Sequence, residues 1–334
     1  MLIKKVMYIL GIDTSCDDTS ASVVMDGGQI ITNVVSSQNE IHAKYGGIVP
    51  ELASRRHIEM IWPVVDEALQ GAGVVLEDLS AVAVCYGPGL IGSLLIGVSF
   101  AKSLCYVKGI PFIAVNHLEG HILAPFLIKD KPSFPFIALI VSGGHTHLYR
   151  VDDFGMYREL GRTRDDAAGE AYDKVAKLLG LPYPGGPVID RQAKLGNPQV
   201  IRFPRAYLAD SLDFSFSGLK TAVLNYVRGQ QQLSIPDIAA SFQASVIDVV
   251  IKKIDRAVKQ EKISEVVVSG GVAANSQLRE DCARYGNEQG VRFLFPPPFL
   301  CTDNAAMIGM SGFHWFKEKA FSSLDLNPKA YLPL

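Results

Sequence analysis

A β-rich run that stops at Ser-Gly-Gly occurs twice in this chain, as FIALIVSGG (136–144) and as EVVVSGG (265–271). The opening run YILGID (8–13) also halts abruptly, in the polar turn DTSCDDT. Strands that end in such turns belong to α/β folds whose strand ends carry the chemistry, because glycine lets backbone N–H groups approach a ligand without a Cβ in the way. The flanking text supports this. SASVVM and QIITNVV, split by Gly27-Gly28, follow the first turn as strands, and THLYRV follows the second. AVAVCY and PFIAV read as further strands, and DIAASFQASVIDVVIKKIDRAVK carries Ile238, Phe242, Val246, Val249, Val250 and Ile254 at helical spacing. KDKPSFP (129–135) punctuates the middle of the chain. Two α/β lobes, each opening with a β-meander and facing each other across a central cleft, account for this layout.

A length of 334 residues is enough for two domains, and 48% apolar against 20% charged residues allows a large packed core. A net charge of −2 excludes a diffuse polycationic nucleic-acid binder, though not a local basic stripe. The five cysteines are odd in number and never form a CxxC pair, which fits a reducing cytosol better than a disulfide framework. MLIKKVMYILGIDTS mimics a signal peptide, with Lys4 and Lys5 before a short apolar run. It ends in Asp13 with no small-residue cleavage site, so a buried first strand is expected. LIGSLLIGVSFAKSLCYV is interrupted by Lys102 and serines and reads as a buried helix rather than a membrane span. A cytoplasmic protein without a membrane partner is expected.

In VNHLEGHIL, His117 and His121 are four apart and share one helix face, within reach of one metal ion. HLEGH is not HExxH, so the glutamate is misplaced for a zinc peptidase base. A third ligand must come from elsewhere. CTDNAAMIG offers Asp303, which taken alone reads as the N-cap of the following helix. His145 and His147 are rival ligands or plain sheet residues. Asp13, Asp17 and Asp18 are Asx-turn residues or carboxylates that order a metal-bound phosphate or water. Glu170, Asp173, Lys174 and Lys177 have the spacing of helix-surface ion pairs, yet Asp173 or Asp190 could accept the two hydroxyls of a ribose, with Gly185-Gly186 admitting it to the backbone. No GxGxxG or GxxxxGK[ST] is present, which argues against dinucleotide-fold and P-loop chemistry.

With those residues in hand, the chain resembles the tRNA N6-adenosine threonylcarbamoyltransferases, once described as O-sialoglycoprotein endopeptidases. The resemblance runs through GIDTSCDDTS, HAKYGGIVPELASRRHIE, NHLEGHILAPF, LIVSGGHT, DKVAKLLGLPYPGGPVID, FSFSGLKTAV, SGGVAANSQLR and CTDNAAMIG, and is nearer the bacterial type. It implies a duplicated actin-like (ASKHA ATPase) fold, with lobes at 1–130 plus 305–334 and at 131–304. It implies one metal ion, Fe(2+) or Zn(2+), on His117, His121 and Asp303. An adenylate, threonylcarbamoyl-AMP, would be lined by Ile140, Val141, Ser142, Gly143, Gly144, Asp173, Gly186, Asp190 and Asn275. The DTSCDD turn departs from the many relatives with glutamate in place of Asp13 or Asp18, and no general base is assigned.

The activity implied is transfer of threonylcarbamoyl to N6 of the adenosine 3′ of the anticodon in tRNAs reading ANN codons. The partners implied are tRNA, a non-catalytic paralogue and a small ATPase; self-pairing is left open. Lys44, Arg55, Arg56 and His57, and separately Arg158, Arg162 and Arg164, are candidate contacts for tRNA or ordinary solvated faces. The rival activities are a metal-dependent glycoprotein endopeptidase and a small-molecule O-carbamoyltransferase or kinase of the same fold.

Overall fold

The computed structural model describes residues 6–334, so Lys4 and Lys5 of the leader-like opening lie outside the described residues. The chain forms two compact units. One comprises the chain up to Lys131 together with Asp303–Leu334; the other comprises Pro132–Thr302.

In the first unit, β1 (Tyr8–Asp13), β2 (Asp18–Met25) and β3 (Gln29–Ser37) form an antiparallel meander. A short α1 (Asn39–Ala43) and the long α2 (Pro50–Ala72) follow. β4 (Leu79–Gly87) then pairs parallel with β1, α3 (Ile91–Lys108) crosses over, and β5 (Phe112–Asn116) pairs parallel with β4. The sheet order is β3-β2-β1-β4-β5. Directly after β5 comes α4 (His117–Leu123).

Side chains alternate across this sheet, as the period of a strand requires. Leu10, Ile12, Val82 and Val84 pack with Val64, Val65 and Ala68 of α2 and Val98 and Ala101 of α3. Ile9, Ala81, Ala83 and Cys85 face the other way, onto Met307, Ile308 and Phe313. These last belong to the C-terminal helix that returns to this unit. Among the described residues, α3 is long and apolar enough to cross a membrane. It packs here through Leu94, Gly97, Val98 and Ala101, against β4 and α2.

The second unit repeats the plan. β6 (Phe136–Val141), β7 (Thr146–Asp153) and β8 (Met156–Arg162) form the meander. α5 (Ala168–Leu178), α6 (Gly185–Ala193), α7 (Ser217–Gly229) and α8 (Ile235–Glu261) follow. β9 (Glu265–Ser269) pairs parallel with β6. Past α9 (Ser276–Gln289), β10 (Arg292–Leu294) pairs parallel with β9, and α10 (Pro298–Cys301) ends the unit. The order β8-β7-β6-β9-β10 matches the first sheet strand for strand. The six apolar residues expected on one stripe of α8 are all buried, packed with Ile137, Leu139 and Val141 of β6. The chain then re-enters the first unit and closes it with α11 (Ala305–Lys317).

Candidate functional site

In a parallel arrangement of strands, ligands bind beyond the carboxyl ends, where crossovers leave backbone and side chains unpaired. In the first unit three adjacent parallel strands end together. β1 ends in Asp13, β4 passes through Cys85 near its end, and β5 leads directly into His117. Register makes the match: Ile12 sits opposite Val84, and Cys85 opposite Val115. Asn116 caps α4, its side chain accepting the Leu118 N–H at 2.8 Å, so the helix begins with His117 at its first position. His121 follows one turn later on the same face.

The third group arrives with α11. This helix lies so close to β1 that a Cβ on Gly11 would stand 2.2 Å from the Ala305 carbonyl oxygen and 2.7 Å from Gly309 N. Gly11 therefore sets how near the start of α11 comes to Asp13. The N-cap that Asp303 offers when read alone belongs to its neighbour: Asn304 caps α11, accepting the Met307 N–H at 3.1 Å. Asp303, one residue earlier, instead turns its carboxylate to the imidazoles. Its Oδ1 lies 3.4 Å from His117 Nε2 and 3.3 Å from His121 Nε2.

These separations are informative. Charge-assisted N–H···O bonds run at about 2.7–2.9 Å, so these contacts are longer than a short, strong ion-pair hydrogen bond. Two ligand atoms each about 2.05 Å from one tetrahedral ion stand about 3.3–3.4 Å apart. His121 is fully buried, yet neither ring nitrogen finds a hydrogen-bond partner. A buried imidazole left in that condition, beside a carboxylate and a second imidazole, fits a divalent cation, and the three side chains form one of the groups able to hold a metal ion.

In the metal-free protein these groups perturb one another's ionisation. Burial disfavours charge on His117, but Asp303 and Asp13 outweigh it and raise its pKa well above the usual imidazole range. Burial and the neighbouring His117 keep His121 below that range, despite Asp303. Asp303, against the effect of its own burial, is held well below the usual carboxylate range by the two histidines. The site thus gathers one negative charge and two imidazoles.

A second group was not foreseen from sequence. Asp13, Cys85 and His117 also bring their ligand atoms within 4.8 Å of one another, all three buried. Asp13 Oδ2 lies 3.3 Å from His117 Nδ1, while its Oδ1 accepts the Ser15 N–H at 2.8 Å in an Asx turn. Period-2 alternation along β4 was the available signal, since it puts Cys85 on the α11 face. Strand register was still needed to pair it with His117.

Several expected residues lie elsewhere. His145 precedes β7, and His147 Nδ1 lies 3.2 Å from Glu159 and from the Tyr149 hydroxyl; neither joins a metal-binding group among the described residues. Glu119 of HLEGH accepts the Trp315 indole N–H at 2.9 Å. His57 is not a surface contact: it is buried, bonded to Thr19 Oγ1 at 2.8 Å and to the Cys16 carbonyl oxygen at 3.0 Å. Arg56 pairs with Glu59, Arg158 with Glu261, Arg162 with Glu159 and Arg164 with Asp213, whereas Lys44 and Arg55 are exposed.

In the second unit the glycine turn after β6 leaves room for a ligand: nothing lies within 4 Å of where a Cβ would stand on Gly143 or Gly144, nor on Gly186. Gly185 has another reason, because a Cβ there would meet Ala176 Cβ at 2.6 Å where α6 packs on α5. Asp173 Oδ1 accepts the Gly185 N–H at 2.7 Å. Asp190 accepts from the Ser276 hydroxyl at 2.9 Å and from Gln243 at 3.1 Å. Asn275 caps α9 through Leu278 N and donates to Gln243 Oε1 at 2.7 Å. α9 thus starts one residue beyond Asn275, at Ser276. The ion-pair reading of α5 applies to Glu170 and Lys174, 2.8 Å apart, with Lys174 also 2.8 Å from Asp166.

A sheet topology used twice, with helices crossing over each sheet, defines the class as the ASKHA-type, ATPase-like α/β fold. Full-length HypF, in a phosphate- and nucleotide-bound form, is similar with a TM-score of 0.63 at 16% identity, covering 96% of this chain and 58% of that one. Component A of the (R)-2-hydroxyglutaryl-CoA dehydratase of Acidaminococcus fermentans gives 0.55 at 17% identity, covering 94% and 99%. At such identities the likeness concerns the fold alone.

Sequence goes further. The family model for tRNA N6-adenosine threonylcarbamoyltransferase matches residues 29–310. Proteins of that name are 59% identical in Thermodesulfovibrio yellowstonii (98% of this chain, 100% of the relative), 52% in Geotalea uraniireducens (98% and 97%) and 50% in Clostridium perfringens (98% and 98%). The chain belongs to the tRNA N6-adenosine threonylcarbamoyltransferase family.

Proposed function

We propose that this protein transfers a threonylcarbamoyl group from threonylcarbamoyl-AMP to N6 of the adenosine 3′ of the anticodon in tRNAs reading ANN codons. Beyond family membership, the observation that carries the reading is the convergence of His117, His121 and Asp303 at 3.3–3.4 Å. Three ligands leave a fourth position open. A divalent cation there, zinc or iron, supplies Lewis acidity toward an acyl or phosphate oxygen.

The rest falls to the chain's own groups. The exocyclic amine of adenine is a weak nucleophile, so the acyl group must arrive activated, and a mixed anhydride with AMP provides the leaving group. Ile140 to Gly144 would cradle the adenylate, the open turn at Gly143-Gly144 offering backbone N–H groups to developing negative charge. Gly186 leaves its nucleoside a way to the backbone. Asp190, Asp173 and Asn275 are already bonded to Ser276, Gly185 and Gln243, so they are pre-oriented for ribose or base contacts rather than floppy. Lys44 and Arg55 are the exposed cations left for tRNA from the first basic cluster. A non-catalytic paralogue and a small ATPase, in the cytoplasm, would complete the working assembly.

The test is reconstitution. The purified protein with its partners, threonylcarbamoyl-AMP and unmodified tRNA should yield threonylcarbamoyladenosine on nucleoside analysis. His121→Ala and Asp303→Ala should each lower the yield at least 100-fold. Cleavage of a glycoprotein with no modified nucleoside would overturn the assignment in favour of a peptidase.

A further inference from the structure

His117 belongs to both groups of converging ligand atoms. Its Nε2 faces Asp303 at 3.4 Å, with His121 alongside. Its Nδ1 faces Asp13 Oδ2 at 3.3 Å, with Cys85 Sγ close by. A neutral imidazole has one N–H and one in-plane lone pair. Ligating through both nitrogens would require an imidazolate, so through His117 only one of the two groups can hold an ion.

Three observations decide which. The Asp303 side chain is 26% exposed, while Asp13 and Cys85 are 1% and 0% exposed, so an ion can reach the first group far more readily. Asp13 already has an orienting contact of its own, since Oδ1 accepts the Ser15 N–H. His121, fully buried, gives the Asp303 group a second imidazole, whereas the other group offers a carboxylate and a thiol.

We propose that Asp13 is the positioning residue of this centre: its Oδ2 accepts the Nδ1–H of His117 and so fixes the tautomer that turns the Nε2 lone pair toward His121 and Asp303. Carboxylate–histidine–metal relays of this kind raise ligand basicity and lock ring orientation. Cys85 fills the space beside them as a packed thiol and is not a ligand. The Asx turn explains why Asp13 can hold its place: one oxygen is tied to the backbone of its own turn and the other is presented to the imidazole. This inference rests on the metal seat proposed above.

The experiment measures zinc affinity of the metal-free full-length chain by competition with a chromophoric chelator, and reads the His117 tautomer from 15N spectra of the zinc-loaded protein. In wild type the proton should sit on Nδ1 and zinc on Nε2. Asp13→Asn can keep the Ser15 contact through its amide oxygen, which leaves its NH2 donor facing Nδ1 in place of an acceptor, so zinc binding should weaken by about 10–100-fold. Asp13→Glu, which restores a carboxylate, should recover most of that loss, and Cys85→Ala should stay within about threefold of wild type. Zinc on Nδ1 in wild type, a spectrum that needs no variant to fold, would overturn the proposal. So would Asp13→Asn binding like wild type while Cys85→Ala loses zinc. If His121→Ala and Asp303→Ala also leave zinc affinity unchanged, the metal seat itself falls, an outcome distinct from failure at Asp13 alone.

Discussion

At the scale of single residues, the turn DTSCDDT places three carboxyls close together, Asp13 buried and Asp17 and Asp18 half-buried. Burial, then the adjacent Asp17, pushes the Asp18 carboxyl up to about 7. Burial, then Asp303, also raises Asp17. A pKa higher in the folded than in the unfolded chain means that the native state holds an extra proton between the two values. The contribution of Asp18 to stability is therefore fully present below about pH 4 and is lost as pH rises through about 7. Asp18→Asn should accordingly raise the melting temperature of the metal-free protein by a few degrees at pH 8 and leave it nearly unchanged at pH 4. Equal shifts at both values would show that the residue acts through packing instead.

At the scale of elements, α8 does more than fill the core of its unit. Lys253, only 3% exposed, sends its ammonium to the carbonyl oxygens of Tyr207, Leu208 and Ser211 at 3.3, 3.1 and 2.5 Å. The segment between α6 and α7 has no helix or strand of its own, and this cation ties three of its carbonyls to α8. Lys253→Met keeps the length of the stem and removes the donors; it should destabilise the second unit by about 1–3 kcal/mol in denaturant titration. Asp248→Ala, which breaks the part-exposed contact with Arg205, should cost less than about 1 kcal/mol. Comparable losses for the two would show that the ammonium contributes little beyond an exposed pair.

At the scale of the whole molecule, all five groups near the candidate centre come from the first unit, although Asp303 stands far along the chain from the others. Metal binding should therefore stabilise that unit selectively. At a free ion concentration 100 times the dissociation constant, the gain is about 2.7 kcal/mol. Hydrogen exchange should slow in β1, α4 and α11 on adding the ion and stay unchanged in α8 and β9. Protection appearing chiefly in α8 would place the ion elsewhere. Much of the architecture behind this was legible in the chain, because strand and helix periods and glycine turns are local signals. Both β-meanders, α8 and α4 were readable in that way.

The sequence by itself determined the elements, the recurrence of a strand plan ending in tight turns, the two histidines one turn apart and the family. Those properties lie within short windows, where backbone sterics and hydrophobic period act directly. Tertiary structure decided which groups meet. Only strand register brings Cys85 beside His117, and only the close seating of α11 on Gly11 delivers Asp303 to the imidazoles while Asn304 takes the cap. The basic clusters show the same division, for a run of cations does not reveal that His57 is buried and Arg158 already paired. Contacts between residues distant in sequence depend on the packing of whole elements, and no local pattern encodes them.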